Sequence, residues 1–299
     1  QLFRTRLFRM LLFTAWSSGF GIAIAGFFFS QTVSSGGWLE VWAAALGPRF
    51  QAIAAAFAAF VLLYPEICIG GFFTLIFWTH SLIALPLSLV ALTSMVPRLV
   101  TRDRATNALT VYLSRPLTST DYLLGKFGII AATLALMWSG PLVFGWLLSM
   151  IFAPDRDFIV YSFTPILRAL LFNAIALVSL ATIALGVSAA GRTSRNTVML
   201  WIGLWLVLGG MAAPPHAPAW VRRSSFSHNL AQVRGAVFRI ENVLSDFSAN
   251  LPLLTPQMTE TLSITGKRVR TTDLPGALGG LGVMAALASF VFFRKLRSE

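Results

Sequence analysis

The chain has 299 residues, of which 56% are hydrophobic and only 11% charged, with a mean hydropathy of +0.75. A soluble domain of this size needs far more charge to cover its surface, so that class is excluded. The formal net charge of +12 sits largely beside apolar blocks, where Lys and Arg set topology and meet anionic headgroups. Membrane lipids are therefore expected as partners and nucleic acid is not. Cys68 is the one cysteine, which removes intrachain disulfides and Cys-based metal sites.

Spanning hydrocarbon requires every backbone polar group to be bonded internally, so long apolar blocks read as helices. The predicted fold is all-α and polytopic, one transmembrane domain over residues 1–299 with six spans. With no initiator Met, a few residues are expected ahead of Gln1. The first span covers about Met10–Phe29, entered from Arg4, Arg6 and Arg9; it lacks a convincing cleavage signal and reads as a retained anchor. Gly19 and Gly26, seven apart, share one face of it and suit close helix approach. Trp38–Val100 is longer than one span needs and is interrupted at Pro65-Glu66. Two full crossings there would put the next basic segment opposite the N-terminal arginines, against the positive-inside rule. Leu46–Tyr64 is therefore read as interfacial or re-entrant, and Phe72–Val96 as the second span.

A polar island, Leu99–Phe127, follows. Within it Ala105, Ala108, Leu109, Tyr112 and Leu113 form one apolar helical stripe, Pro116 blocks continuation, and Thr118 with Asp121 makes a capping-box start for the next span. The third span is about Tyr122–Phe152 and the fourth about Phe163–Ala189. The fifth, about Thr197–Ala213, stops at Pro214-Pro215, and the sixth, about Pro275–Phe293, ends in Arg294-Lys295-Leu296-Arg297. The short basic loops place both termini and the island in the cytoplasm of a multi-pass protein of the cell membrane, the bacterial inner membrane. The hydrated segment 214–274 then lies outside. In it Leu230, Val233, Val237, Ile240, Leu244, Phe247 and Leu251 alternate by three and four, predicting one amphipathic helix ended by Pro252. That helix covers the outer ends of the spans, docks an extracytoplasmic partner or forms a lid over the exit path.

Chemistry-bearing clusters are sparse. No His pair has metal spacing and no carboxylate pair recurs at i, i+3 or i+4 on one span. Ser139 beside Pro141 could act as an intramembrane nucleophile with His80 as base, although small residues in spans more often serve helix packing. Glu66 and Arg168 are the ionisable side chains placed nearest membrane depth, where such groups are functional candidates by default; Arg168 could also snorkel.

The island carries more specific residues. Arg102-Asp103-Arg104, Asn107-Ala108-Leu109, Tyr112-Leu113-Ser114-Arg115-Pro116-Leu117 and Asp121-Tyr122-Leu123-Leu124-Gly125-Lys126 together resemble the permeases of ABC-2 type transporters, the membrane subunits of type-2 ABC exporters. The likeness covers about 25 positions and departs where many members have Gly-Thr and this chain has Asn107-Ala108. The resemblance implies that the island holds a coupling helix against a cytosolic ABC ATPase subunit. It also implies a second permease copy or homologue, with ATP and Mg held by the partner and no cofactor in this chain. Carried over position by position, Arg102, Asp103, Arg104, Asn107, Tyr112 and Arg115 contact the ATPase, and Gly125 and Lys126 stand at the span entry. The chain itself lacks a phosphate-binding loop: Gly125-Lys126 is followed by Phe127 and Gly266-Lys267 by Arg268, without the upstream glycine or the hydroxyl. An intramembrane hydrolase and a structural anchor subunit are the competing classes.

Overall fold

The computed structural model describes residues 5–34, 36–101, 103, 118–214, 216–250, 255–269 and 273–297. Six helices are long and apolar enough to cross a membrane, and no strand occurs among the described residues. They are α1 (Arg6–Val33), α4 (Gly71–Val96) with the π-helical turns that flank it, α5 (Ser119–Ile151), α6 (Asp157–Ala190), α7 (Ser194–Ala212) and α12 (Leu274–Arg297). The chain is an all-α polytopic membrane protein. Between α1 and α4 lie α2 (Trp38–Leu46) and α3 (Pro48–Leu63). Between α7 and α12 lie α8 (Ala219–Arg223), α9 (Phe226–Phe238), α10 (Ile240–Asn250) and α11 (Pro256–Val269).

Successive spans run in opposite directions. Gln31 Nε2 donates to the Phe152 carbonyl at 3.0 Å, which sets the end of α1 beside the end of α5. Tyr122 stacks on Phe292 with ring centroids 6.4 Å apart, which sets the start of α5 beside the end of α12. The Thr101–Thr118 connection and both ends of the described chain therefore share one end of the bundle, called here the loop end. The opposite end is the far end.

Close approach is built from small residues. A Cβ on Gly19 would stand 2.6 Å from the Pro141 carbonyl oxygen, and one on Gly145 would stand 2.4 Å from the Gly19 carbonyl oxygen. The shared glycine face of the first span is thus the seam between α1 and α5, and Ser149 closes it at Gly26. Packing between membrane helices gains from such backbone proximity because lipid offers apolar side chains no driving force to leave it.

The second span is longer than Phe72–Val96. It runs continuously over Glu66–Thr101, 36 residues, because a π-helical turn extends it at each end, Glu66–Gly70 and Pro97–Thr101. Upstream, the apolar stretch divides at Gly47, whose φ of 102° ends α2 and starts α3. With 16 residues α3 extends about 24 Å at 1.5 Å per residue, short of a typical hydrocarbon core.

The segment after α7 departs most from the sequence reading. Instead of one helix it forms two, broken at Arg239, the one non-Gly residue with a positive φ among those described (52°). Nor does α9 lie over the span ends. Phe226 packs edge-on against Trp205 at 4.9 Å, and Trp205 lies midway along α7. Phe238 is fully buried and packs on Phe172, which stacks on Trp138. The chain re-enters the bundle through α8, turns at Ser224-Ser225 and climbs back through α9 to the far end. Backbone that departs from a spanning helix at this depth is tolerable where protein surrounds it. Asn229 Nδ2 donates to the Arg223 carbonyl at 2.7 Å and Ser225 accepts from the His228 amide, while Asn229 Oδ1 is buried with no hydrogen-bond partner among the described residues.

Candidate functional site

At the loop end, the two flanks of the 102–117 segment are fixed to the bundle by separate polar clusters. The upstream cluster grows from Pro97. A π turn there opens the backbone, and the Ser188 hydroxyl of α6 fills the gap: it donates to the Val96 carbonyl at 2.6 Å and accepts from the Val100 amide at 2.9 Å. One side chain thereby stands in for the helical bond between residues 96 and 100. Thr101 Oγ1 lies 2.7 Å from the Ser188 carbonyl and 2.9 Å from Thr197 Oγ1 of α7. Ser188, Thr101 and Thr197 are all buried, so each must find partners inside the protein. Gly191 leaves room for Thr197, whose side chain would overlap any Cβ there.

The downstream cluster joins Asp103 to α5. Lys126 Nζ is 2.6 Å from Asp103 Oδ2, and both side chains are more than four-fifths buried. Tyr122 donates its hydroxyl to the same oxygen at 2.9 Å, and the ammonium of Lys126 stands 5.4 Å from the Tyr122 ring centroid. The start of α5 carries the anticipated capping box: Asp121 N–H donates to Thr118 Oγ1 at 3.2 Å, and Thr118 N–H donates to Asp121 Oδ2 at 3.0 Å.

Of the coupling residues read from the sequence, Asp103 and Lys126 thus meet. Gly125 is exposed, and a Cβ there would touch nothing within 4 Å, so no close approach in the structure calls for glycine. Arg102, Arg104, Asn107, Tyr112 and Arg115 lie outside the described residues, as do the 105–114 helix and Pro116. Thr101, Ser188 and Thr197 were not legible as a site. The only hint was Pro97 at the end of an apolar block.

His80 is buried between α1, α4 and α5. Its Nδ1 is 3.0 Å from Ser18 Oγ and its Nε2 3.0 Å from the Trp138 carbonyl. A carbonyl can only accept, so Nε2 carries the proton, and Nδ1 faces the Ser18 hydroxyl, which donates to the Ala15 carbonyl at 2.6 Å. Ser139 accepts instead from Asn173 Nδ2 at 3.4 Å. The Ser139–His80 pairing considered from the sequence is not formed, and His80 links three spans. Among the described residues no three His, Cys, Asp or Glu side chains are grouped to hold a metal ion.

Two of the cavities in the bundle differ sharply in polarity. One, about 390 Å³, is apolar and lies among α6, α7, α12 and the re-entrant turn, lined by Gly186, Trp205, Phe226 and Met284 among others. The second, about 420 Å³, lies at the far end among the turn 66–70, α4, α6 and α10, and is polar: Glu66, Arg168, Arg239, Asn242 and Asp246 face it. Arg168 does more than snorkel to the surface as a lone charge, since three other charged groups share its cavity.

No family model, no curated protein and no solved structure matches this chain.

Proposed function

We propose that this protein is the membrane permease subunit of an ABC transporter, an exporter driven by ATP hydrolysis on a separate nucleotide-binding subunit. The observation that supports it most is the pair of polar clusters at the loop end. They tie the flanks of 102–117 to α4, α5, α6 and α7, with Phe292 of α12 against Tyr122. A push on that segment is delivered to five spans through short, buried contacts, as transmission between packed elements with discrete arrangements requires. In this reading Arg102, Asp103, Arg104, Asn107, Tyr112 and Arg115 meet the ATPase. Both termini are cytoplasmic, and a second copy or homologue completes the transport path.

The side facing the cytoplasm follows from charge. Arg6, Arg9, Arg98, Lys126, Arg192, Arg195, Arg294 and Lys295 belong to the loop end, and short loops rich in Lys and Arg stay inside. The test is purification of the full chain in mild detergent with identification of the chains that accompany it. A stoichiometric ATPase, and loss of permease-stimulated ATP hydrolysis on substitution of Tyr112 and Arg115 without loss of membrane insertion, is the expected result. Full stimulation in those variants would overturn the coupling assignment.

A further inference from the structure

We infer that the polar cavity at the far end is a binding site for a zwitterion carrying one ammonium and one phosphate group. Four charged side chains line a space of about 420 Å³: Glu66 from the π turn, Arg168 from α6, and Arg239 and Asp246 from the α9–α10 break and α10. Positive and negative charges are equal in number. Glu66, Arg239 and Asp246 are exposed and Arg168 is half-buried, and among the described residues none of the four side chains makes a hydrogen bond or an ion pair within 4.0 Å. Two guanidiniums and two carboxylates held apart around one space match a ligand that brings both signs itself. Guanidiniums suit phosphate because their donors form a planar fork. A carboxylate pair suits an ammonium, whose three donors need several acceptors.

The backbone is shaped toward the same space. Arg239 takes the left-handed conformation, φ 52°, which is uncommon for a residue with a Cβ. The break there turns α10 so that Asn242 and Asp246, four apart on one face, reach the cavity with Arg239. Gly71 lets α10 close in, since a Cβ there would stand 2.5 Å from Phe247. Pro165 of α6 has no N–H to offer the Tyr161 carbonyl. That oxygen lies against Gly70, 3.3 Å from where a Cβ would be, and Tyr161 is among the residues that line the cavity. The chemistry is that of phosphoethanolamine, whether as a free solute or as the headgroup of a phospholipid. Neither ATP nor a partner chain enters this inference, so it stands apart from the transport reading.

The experiment measures binding to the full chain purified in detergent. Free phosphoethanolamine is followed by equilibrium dialysis against inorganic phosphate and ethylamine. Retention of phosphatidylethanolamine against phosphatidylglycerol is followed by native mass spectrometry. The expected result is preference for the zwitterion, weakened about tenfold by R239G and by D246N. Binding of free phosphoethanolamine identifies a solute site, and selective retention of phosphatidylethanolamine alone identifies a headgroup site; either supports the inference when the variants weaken it. Glycine suits φ 52° and Asp246 is exposed, so both variants keep the fold, and circular dichroism checks it. Inorganic phosphate bound as tightly as phosphoethanolamine and unchanged in D246N would overturn the proposal. So would the absence of any binding that R239G alters.

Discussion

The two ends of the bundle treat polar groups in opposite ways. At the loop end, Ser188, Thr101 and Thr197 are bonded among themselves and to the 96–100 backbone, and Asp103 is bonded to Lys126 and Tyr122, all at 2.6–2.9 Å and mostly buried. At the far end, Glu66, Arg168, Arg239 and Asp246 stand around a cavity with no direct pairing. The first arrangement lowers the energy of one conformation and makes departures from it costly. The second leaves polar groups to water and to whatever enters. Stiffness is therefore concentrated where a partner is proposed to push, and open polar space where a ligand is proposed to bind.

Charge removal tests this contrast most sharply. Lys126→Met takes the ammonium away from the largely buried Asp103 carboxylate, and breaking a pair of this kind is expected to destabilise by about 2–3 kcal/mol, somewhat below the fully buried case. Chemical unfolding in detergent measures it; a change below about 0.5 kcal/mol would place the pair among ordinary surface ion pairs. Ser188→Ala comes next. It strips the Val96 carbonyl and Val100 amide of a shared partner, a loss of about 1–3 kcal/mol in buried bonds, offset in part if the π turn relaxes to α-helix. Ser188→Thr, which keeps the hydroxyl, should recover stability in part; no recovery would mean that packing, not bonding, fixes the turn.

The far end should respond with the opposite sign. Arg239→Gly removes a charge and also relieves left-handed backbone, so stability should hold or rise by up to about 1 kcal/mol. A loss as large as that of Lys126→Met would erase the distinction between the ends. The smallest effect concerns pH. The Arg223 guanidinium bonded to Asp273, with the Gly276 amide, holds that carboxyl below the usual aspartate range. A lowered native pKa means that its contribution is present above the ordinary aspartate value. It is lost as pH falls through the lowered one. Acid below the ordinary aspartate value should therefore loosen the junction of α8 with α12, read as faster amide exchange near Gly276, and Asp273→Asn should remove that dependence.

Legibility from the sequence followed the range of each interaction. The six spans, the capping box at Thr118 and Asp121, and the glycine face of α1 depend on local composition and helical period, and each is present. Glu66 and Arg168 stood out singly as ionisable groups in apolar surroundings. Their meeting with Arg239 and Asp246 did not, because the four come from three separated stretches. The break at Arg239 carried no signal at all: the apolar stripe from Leu230 to Phe247 passes through it unbroken, with no Pro or Gly at the break. His80 was visible as a buried histidine, whereas its Ser18 partner is 62 residues away.

Sequence alone determined that this chain lives in a bilayer as an all-α bundle, because only internally bonded helices can carry so much apolar surface across hydrocarbon. It also determined that the basic, Pro-interrupted island stands out as a polar break between two spans. Tertiary structure decided the rest. The re-entrant α8–α9 turn, the Ser188 hydroxyl inside the π turn and the four unpaired charges of the far cavity arise from contacts between distant segments. Such contacts depend on which helix faces meet, and helical period fixes only the faces.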